Sequence, residues 1–352
     1  MEDKRRRRLF WLWLAGLGGV LLLSIVCSVS IGSAQLPVST VWRILLYKIG
    51  LYSPSLVDWS SSAEAIVYNV RLPRILLAVL VGAALASAGV GFQAVLRNPL
   101  ADPYVLGVSS GASLGAAVAI VFGWQGALGG WVIPTIAFCL GLLTLFAVYQ
   151  LALGGNGGAG SGAAVETLLL SGVVVQAFLG ALLSFFLSIS DERMQQIIYW
   201  LMGSFAMRDW ASAGVVLPFL MAGWLILYSQ WQSLNILSLG DARAAHLGVS
   251  GERVRFVVLV ASTLITAAAV SVSGTIGFVG LVVPHMMRLL VGADHRYLFP
   301  VATLAGASLM IWADTAARTI FSPRELPVGV ITALLGAPFF GYLLRRFRRQ
   351  SR

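Results

Sequence analysis

Charged residues are scarce in this sequence, and their scarcity limits the kind of protein it can be. Of its 352 residues, 11% are charged and 58% are hydrophobic, whereas about a quarter of the residues in a soluble domain are charged. The composition excludes an ordinary soluble domain and predicts an all-α polytopic membrane protein. The net charge of +10 gathers at the termini and in loops, so the membrane surface explains it better than nucleic acid does.

Lysine is nearly absent, and this bears on ATP binding. Lys4 and Lys48 are the only two, and neither ends a GxxxxGK motif of the kind that cradles phosphates. Gly155, Gly157 and Gly160 fit GxGxxG by spacing alone. Because no strand precedes them, a flexible linker is the better interpretation. If ATP drives this protein, another chain must bind it.

Cysteine and histidine are also rare. Cys27 and Cys139 each lie inside an apolar segment, so neither a disulfide framework nor a metal site is indicated. The histidines, His246, His285 and His295, lack the spacing to Cys, Asp or Glu that a metal site needs. No grouping of Ser, His and Asp and no pair of carboxylates indicates an enzyme. We therefore expect no catalytic residue, metal or cofactor in this chain.

Ten segments are apolar over about the 20 residues that a spanning helix requires. They predict a single transmembrane domain over residues 1–352. The first exceeds the ~7 to 15 residues of a signal-peptide core, so it is interpreted as a retained span. The predicted spans are Leu9–Ile31, Ala65–Phe92, Tyr104–Gly123, Trp131–Leu153, Val165–Leu187, Trp210–Ser229, Val254–Ser273, Ile276–Val291, Leu298–Ile320 and Pro327–Leu344.

The distribution of basic residues predicts the orientation. An even number of spans leaves both termini on one side, and the arginine-rich ends favour the cytosol. On that assignment the cytosolic segments hold 16 of the 24 Lys and Arg residues and the outer segments hold eight.

The stretch Leu237–Arg255, which reads LSLGDARAAHLGVSGERVR, is a long polar run between two predicted spans on the cytosolic side. It predicts two short helices within about residues 238–253, separated at Gly248. The first would run from Asp241 to Leu247, and Ser250 would cap the second. A short amphipathic pair between spans is typical of a contact site for a soluble partner.

Two other connections carry structural signals. Apolar periodicity over residues 40–51 predicts an outer helix lying in the membrane interface, with Ser39 as its cap. In the turn after the second span, Asp102 is the predicted N-cap of the third span and Pro103 its first helical residue.

Inserting a charged side chain at the middle of a membrane span costs about 2.5 to 3.5 kcal/mol on insertion scales, so each such residue is a candidate for a structural or functional role. Asp314 and Arg318 lie four residues apart and can pair on one helix face. Arg71, Arg74 and Arg318 all fall at the outer mouth, where arginine is least expected. They could receive carboxylates of a partner or bind lipid phosphates, and the residues alone leave both open.

Six motifs together resemble a known family. They are RLPR (Arg71 to Arg74), RNPLADPYVLGVSSGA (Arg97 to Ala112), GTIGFVGLVVPHMMR (Gly274 to Arg288), ADTAAR (Ala313 to Arg318), ELPVGV (Glu325 to Val330) and GAPFF (Gly336 to Phe340). In order and spacing they resemble the FecCD/BtuC-like permeases. Those are the membrane subunits of bacterial ABC importers for iron siderophores, haem and vitamin B12.

The resemblance implies a type II ABC importer fold with ten spans in the bacterial cytoplasmic (inner) membrane. It implies a second permease copy, as a homodimer or a heterodimer of related permeases. Two ATP-binding subunits, which carry ATP and Mg, would sit on the cytosolic side. A periplasmic or lipid-anchored substrate-binding protein would dock on the outer side.

The resemblance also implies roles for individual residues. Arg71, Arg74 and Arg318 match the arginines that receive glutamates of the binding protein. The fifth span would line the pathway, and the turn before the third span would form the cytosolic constriction. The implied ATPase-coupling residues are Gly240, Asp241, Ala244, Ala245, His246, Leu247 and Gly248; the implied pathway and gate residues are Asn98, Leu100, Leu169, Val173, Gln176, Gly180 and Ser184.

The sequence leaves alternatives open for both the substrate and the energy source. An iron chelate, either a ferric siderophore or haem, is the expected substrate, and vitamin B12 or another corrinoid is the alternative. From another class, an ion-coupled secondary transporter would carry ionisable residues near mid-membrane. Only Asp314 qualifies, and it has Arg318 to pair with.

Overall fold

The computed structural model describes residues 2–32, 34–53, 58–154 and 165–350, and within these ranges it is helical and has no β-strand. The linker predicted around Gly155, Gly157 and Gly160 lies outside the described residues. The α-helices are α1 (Glu2–Ser30), α2 (Val38–Lys48), α3 (Ser61–Ala65), α4 (Leu72–Val95), α5 (Val108–Val121), α6 (Trp124–Leu128), α7 (Val132–Gly154), α8 (Val165–Ser188), α9 (Met194–Leu201), α10 (Trp210–Ser229), α11 (Trp231–Leu237), α12 (Asp241–His246), α13 (Gly251–Ser273), α14 (Val279–Val291), α15 (His295–Thr319) and α16 (Val328–Gln350). A π-helical stretch, Ile66–Arg71, leads into α4, and 3-10 turns form at Pro103–Leu106 and Asp191–Arg193.

Each predicted span has a helix. Seven helices are long and apolar enough to cross a membrane, and three shorter apolar helices fall on the third, eighth and tenth predicted spans. The ten-span prediction is thereby confirmed. The third span differs in detail, because Gly107, with φ at 79°, separates the 3-10 turn from α5. Asp102 is a cap as predicted, but for that turn: its Oδ1 accepts a hydrogen bond from the backbone N–H of Tyr104 at 2.9 Å.

Helix α4 lies at the centre of the bundle, and 20 of its 24 residues are buried. It packs against α10, α13, α14 and α15. A methyl group at Gly82 would overlap the backbone of Gly306 on α15, and one at Gly89 would overlap that of Gly280 on α14. Small residues let helix backbones approach this closely within lipid. These contacts fix α4 against its two neighbours.

A second core cluster holds α5, α7 and α9 together, with Ala112, Ala116, Ile133, Ala137 and Ile197 among its buried residues. Helix α8 packs on α5 and α7 but leaves much of its surface exposed.

The predicted outer helix exists, but it spans Val38–Lys48 rather than residues 40–51. Its N-cap is Pro37, whose side chain caps nothing, so the prediction that Ser39 caps it is wrong. The helix begins at Val38, directly after Pro37, and this leaves Ser39 inside the first turn. Val41 and Ile44 are its buried residues.

Candidate functional site

A buried ion cluster lies at the end of the bundle where α4 begins. The Nε of Arg74 donates to both carboxylate oxygens of Asp314 at 3.0 Å, and its Nη2 donates to Oδ1 at 2.8 Å. Its Nη1 donates to Oε2 of Glu325 at 2.8 Å. Asp314 is 1% exposed and Arg74 is 6% exposed. Each group is a charge taken out of water, and such charges persist only when paired and hydrogen-bonded.

The other two outer arginines join the same region. Nε of Arg318 lies 3.6 Å from Oδ2 of Asp314, which confirms the predicted pair four residues apart. Its Nη2 donates to the carbonyl and hydroxyl oxygens of Ser28 at 2.5 and 2.7 Å. Arg71 donates to the carbonyl oxygens of Val29 at 2.8 Å and Ala34 at 2.5 Å. Helix α1 and the segment that follows it therefore supply neutral acceptors for this cluster.

The three arginines that the sequence places at the outer mouth are buried. Arg71, Arg74 and Arg318 are 3 to 6% exposed, and each already holds partners within the chain. Sequence reasoning identified the three arginines but missed the contact of Arg74 with Asp314 and Glu325. The signal was present, since those two are the only acidic residues of the ADTAAR and ELPVGV motifs. Their docking role stays a prediction.

Asp241 joins three elements at the opposite end of the bundle. Its Oδ2 lies 2.9 Å from Nη2 of Arg97, which follows α4, and its Oδ1 accepts a hydrogen bond from Arg255 on α13. Nη2 of Arg97 also donates to the carbonyl oxygen of Leu237 at 3.1 Å. Because α4 has 24 residues at a rise of 1.5 Å each, about 36 Å separates this site from the arginine cluster.

The predicted coupling helix is confirmed as an element. Helix α12 follows Gly240, with φ at 109°, and ends before Gly248, with φ at 79°. Ser250 caps the next helix by accepting from the backbone N–H of Arg253 at 3.5 Å. That second helix is not a separate short one, as predicted, but the first turn of α13.

The predicted coupling residues divide into an exposed and a buried set. Asp241, Ala245, His246 and Leu247 are exposed, and Leu247 is 60% exposed. Ala244 is fully buried, so a bulky residue there would disturb the packing of α12. A contact surface for a soluble partner can include Ala245 and Leu247 but not Ala244.

The predicted cytosolic gate is a compact turn. Oδ1 of Asn98 accepts from the backbone N–H of Leu100 at 2.9 Å, and both residues are half-buried. Arg97 precedes them with φ at 47°, a conformation that few residues other than glycine adopt. The turn is thereby joined to α12 through Arg97 and Asp241.

The five predicted pathway residues of α8 recur every three or four residues, so they lie along one side of the helix, but they differ in exposure. Val173 is 58% exposed, and Ser184 is exposed with its hydroxyl bonded to the carbonyl oxygen of Gly180 at 3.0 Å. A Cβ on Gly180 would meet nothing within 4 Å. Leu169 instead packs against the core, and the amide of Gln176 donates to the carbonyl oxygen of Val105. The open face therefore carries Val173, Gly180 and Ser184.

No group of three or more His, Cys, Asp or Glu residues that could hold a metal ion occurs in the described part of the chain.

A family model described as the FecCD transport family matches residues 20–346. The chain is 44% identical to the cobalamin import system permease protein BtuC of Halobacterium salinarum, covering 81% of this chain and 74% of that one. It is 38% identical to the hemin transport system permease protein HmuU of Yersinia pestis, covering 95% and 96%. A solved structure of a metal-chelate type ABC transporter in an inward-facing conformation has a TM-score of 0.80 and 35% identity, covering 95% and 98%. The all-helical fold is that of BtuC-like permeases.

Proposed function

The chain belongs to the FecCD transport family and is a membrane-spanning ABC permease, and we propose that it imports an iron chelate, a ferric siderophore or haem, from a binding protein into the cytoplasm. The observation that carries the proposal is the family match, which runs through 327 residues from 20 to 346. The relatives named for haemin and for metal chelates cover nearly the whole chain.

ATP hydrolysis is assigned to two separate ATP-binding subunits, which would hold the ATP and Mg; this chain would bind no cofactor. The sequence supports this, because neither of its two lysines ends a phosphate-binding motif. The ATPase would contact Ala245, His246 and Leu247 on the exposed face of α12. Movement of α12 would pass through Asp241 and Arg97 to the turn at Asn98 and Leu100.

The binding protein is proposed to dock at the arginine cluster with carboxylate side chains. Arg74 Nη1 already holds Glu325, whose side chain is 27% exposed against 7% for Arg74. A docking carboxylate would therefore exchange with Glu325 rather than meet a free arginine. Arg71 and Arg318 would supply the further positive charge of the cluster.

The pathway is proposed to run between two copies of this chain. The open face of α8 supports this, since it carries small and weakly polar residues. Elsewhere on the same helix, Phe178 and Phe185 are 64% and 56% exposed. In a homodimer two such faces would meet around the substrate. A chelate passing through a weakly polar channel is held loosely and is released quickly.

The proposed location is the bacterial cytoplasmic membrane, with both termini in the cytosol. This orientation puts α12 inside the cell and the arginine cluster outside, about 36 Å apart by the length of α4.

Corrinoid import is the second candidate substrate class, because a relative named as a cobalamin permease is 44% identical. An ion-coupled mechanism is disfavoured by Asp314. That carboxylate is buried and bound by two arginines, so it has no free site for a transported proton or ion.

Uptake in proteoliposomes tests the function. With the ATPase subunit and binding protein present, we expect ATP-dependent uptake of haem or a ferric siderophore, and cyanocobalamin serves as the comparison. Uptake driven by a proton gradient without the ATPase subunit would contradict the ABC mechanism. Uptake of cyanocobalamin alone would replace the proposed substrate and keep the mechanism.

A further inference from the structure

A cavity of about 290 Å³ lies beside α9, at the same end of the bundle as the arginine cluster. The indole N–H of Trp210, at the start of α10, donates to the backbone of Tyr68 at 3.1 Å, which joins this region to the start of α4. The walls are contributed by the segment between α5 and α7, by α9 and by the loop before α10, and they include Gln125, Pro134, Gln196, Trp200, Met207 and Arg208.

Arg208 is the one charged residue of this wall, and it makes no hydrogen bond or ion pair with any residue in the described ranges. Its Nε is buried, and burial lowers the pKa of the guanidinium from its ordinary value. The adjacent Asp209 is engaged elsewhere, because its Oδ1 accepts from the backbone N–H and the hydroxyl of Ser212 at 3.0 and 2.8 Å. The negative charge of Asp209 opposes this lowering of the pKa, but Asp209 forms no ion pair with Arg208 in the described chain, and a half-buried cation without a directly bound counter-charge is costly.

Arg193 provides a contrast at the same end of the bundle. Its Nη1 donates to the carbonyl oxygens of Ile120 and Val121 at 2.8 and 2.9 Å. Arg193 therefore has a structural role, because it joins the end of α5 to the segment before α9. Arg208 makes no such hydrogen bond to another segment of the described chain.

The backbone before Arg208 is held in an uncommon conformation. Met207 has φ at 56°, and its side chain is wholly exposed. Bulky residues seldom adopt positive φ, and such residues cluster at functional sites, where the surrounding structure holds them. The loop thereby exposes an apolar side chain and keeps the neighbouring guanidinium in the cavity wall.

The remaining polar groups of the wall are neutral. The amide of Gln196 donates to Oε1 of Gln125 at 3.3 Å, which leaves the NH₂ of Gln125 available as a donor. The indole N–H of Trp200 is buried without a partner. One cation with uncharged donors and an aromatic wall matches a carboxylate, because guanidinium groups bind carboxylates with two parallel hydrogen bonds.

We infer that this cavity binds a small carboxylate, or the carboxylate arm of a larger chelate, through Arg208. Its volume of about 290 Å³ lies at the lower limit of the roughly 300 to 1,000 Å³ of pockets that enclose drug-sized ligands, which matches a small carboxylate better than a whole chelate or corrinoid. The site does not depend on which protein docks at the arginine cluster.

Binding of radiolabelled citrate to the full-length permease in phosphatidylcholine nanodiscs tests the site. We expect saturable binding that Arg208→Gln weakens at least tenfold, which is about 1.4 kcal/mol. The matched control is Arg324→Gln, which removes an equal charge from an exposed residue outside the cavity and should change affinity less than twofold. Equal losses in both variants, or no loss in Arg208→Gln, would overturn the assignment.

A second variant and a change of lipid distinguish the remaining alternatives. Arg208→Lys keeps the positive charge but cannot form two parallel hydrogen bonds with a carboxylate, so we expect an intermediate, several-fold loss of citrate affinity. Unchanged affinity would overturn the paired hydrogen bonds. Replacing part of the lipid with phosphatidylglycerol should leave citrate binding unchanged. If phosphatidylglycerol abolished it, the cavity would be a lipid phosphate site and the carboxylate assignment would be wrong.

Discussion

Asp314 is the residue that the arginine cluster depends on most. It is 1% exposed and faces Arg74 at 2.8 Å and Arg318 at 3.6 Å. Removing one member of a buried ion pair leaves uncompensated charge, at a cost of about 3 to 5 kcal/mol.

We therefore expect Asp314→Asn to lower the melting temperature of the detergent-purified permease markedly. Asp58→Asn is the control, since it breaks the Arg43–Asp58 pair, whose side chains are 33% and 58% exposed. Exposed pairs contribute about 0 to 1 kcal/mol, so its melting temperature should stay close to that of the wild type. Equal effects of the two variants would contradict the importance given to burial.

Glu325 competes with any carboxylate that approaches Arg74. If the proposed docking is correct, Glu325→Gln weakens the internal pair and should raise the affinity of the binding protein for the permease several-fold. Surface plasmon resonance on nanodisc-held permease measures this. Glu192→Gln, an exposed acidic residue near α9, should have little effect. A lower affinity in Glu325→Gln would mean that Glu325 organises the docking site instead of blocking it.

At the scale of single elements, two adjacent alanines of α12 differ in exposure. Ala244 is fully buried and Ala245 is exposed. We expect Ala245→Trp to leave the permease folded and to reduce ATP-driven uptake at least tenfold, because the indole would obstruct ATPase contact. Ala244→Trp should instead reduce the folded yield, since overpacking a core costs about 1 to 3 kcal/mol. Uptake assays and size-exclusion profiles separate the two. Normal uptake by Ala245→Trp would remove α12 from the coupling interface.

The turn between α4 and α5 should respond to pH. Burial raises the pKa of Asp102 to about 6 from its ordinary 3.8. The folded state therefore binds the carboxyl proton of Asp102 more tightly than the unfolded state does. Its contribution to stability is therefore greatest at low pH and falls as the pH rises from about 4 to about 6. We expect Asp102→Asn, which keeps the capping oxygen, to raise the melting temperature at pH 7.5 by a few degrees and to have little effect at low pH.

Asp209 has a pKa shift in the opposite direction and serves as the comparison. Hydrogen bonds from the hydroxyl and backbone N–H of Ser212 lower the pKa of its carboxyl group, so its ionised form stabilises the fold above its unfolded pKa. Asp209→Asn should therefore lower the melting temperature at pH 7.5. Shifts of the same sign in both variants would show that burial does not govern Asp102.

The elements themselves were largely predictable from the sequence, because a spanning helix is set by local apolar length. The sequence therefore predicts all ten spans, a cap at Asp102 and the short helix at Asp241, but not that Asp102 caps a 3-10 turn. What it missed depends on contacts between distant segments. Arg74 and Asp314 are 240 residues apart, and no periodicity relates them.

The exposure of individual helix residues was also not predictable from the sequence. Helix α8 is apolar on every side, so its sequence does not distinguish the residues that pack from those that stay open. Leu169 and Gln176 were consequently grouped with Val173 and Ser184, although they lie against the core and the 3-10 turn. The burial of Ala244 and the exposure of Ala245 could not be distinguished from the sequence either, because the two adjacent residues are identical.

At the scale of the whole molecule, the two ends of the bundle can be assigned to sides of the membrane by labelling. In a background with Cys27→Ser and Cys139→Ser, we expect Arg324→Cys to react with a membrane-impermeant maleimide in intact cells. Leu247→Cys, which is 60% exposed as leucine, should react only after permeabilisation. The reverse pattern would invert the topology and exchange the proposed docking and coupling ends.

The glycine contacts of α4 have a mechanical consequence. At Gly82 and Gly89 the helix touches its neighbours backbone to backbone, with no flexible side chain between them to absorb a displacement. Two such crossings on one helix about 36 Å long hold it at two separate points, so α4 cannot rotate independently of α14 and α15. A displacement at Arg74 would therefore reach Arg97 only if the three helices move together as one rigid group. Replacing either glycine should separate these helices and lower both the stability and the transmission of such a movement.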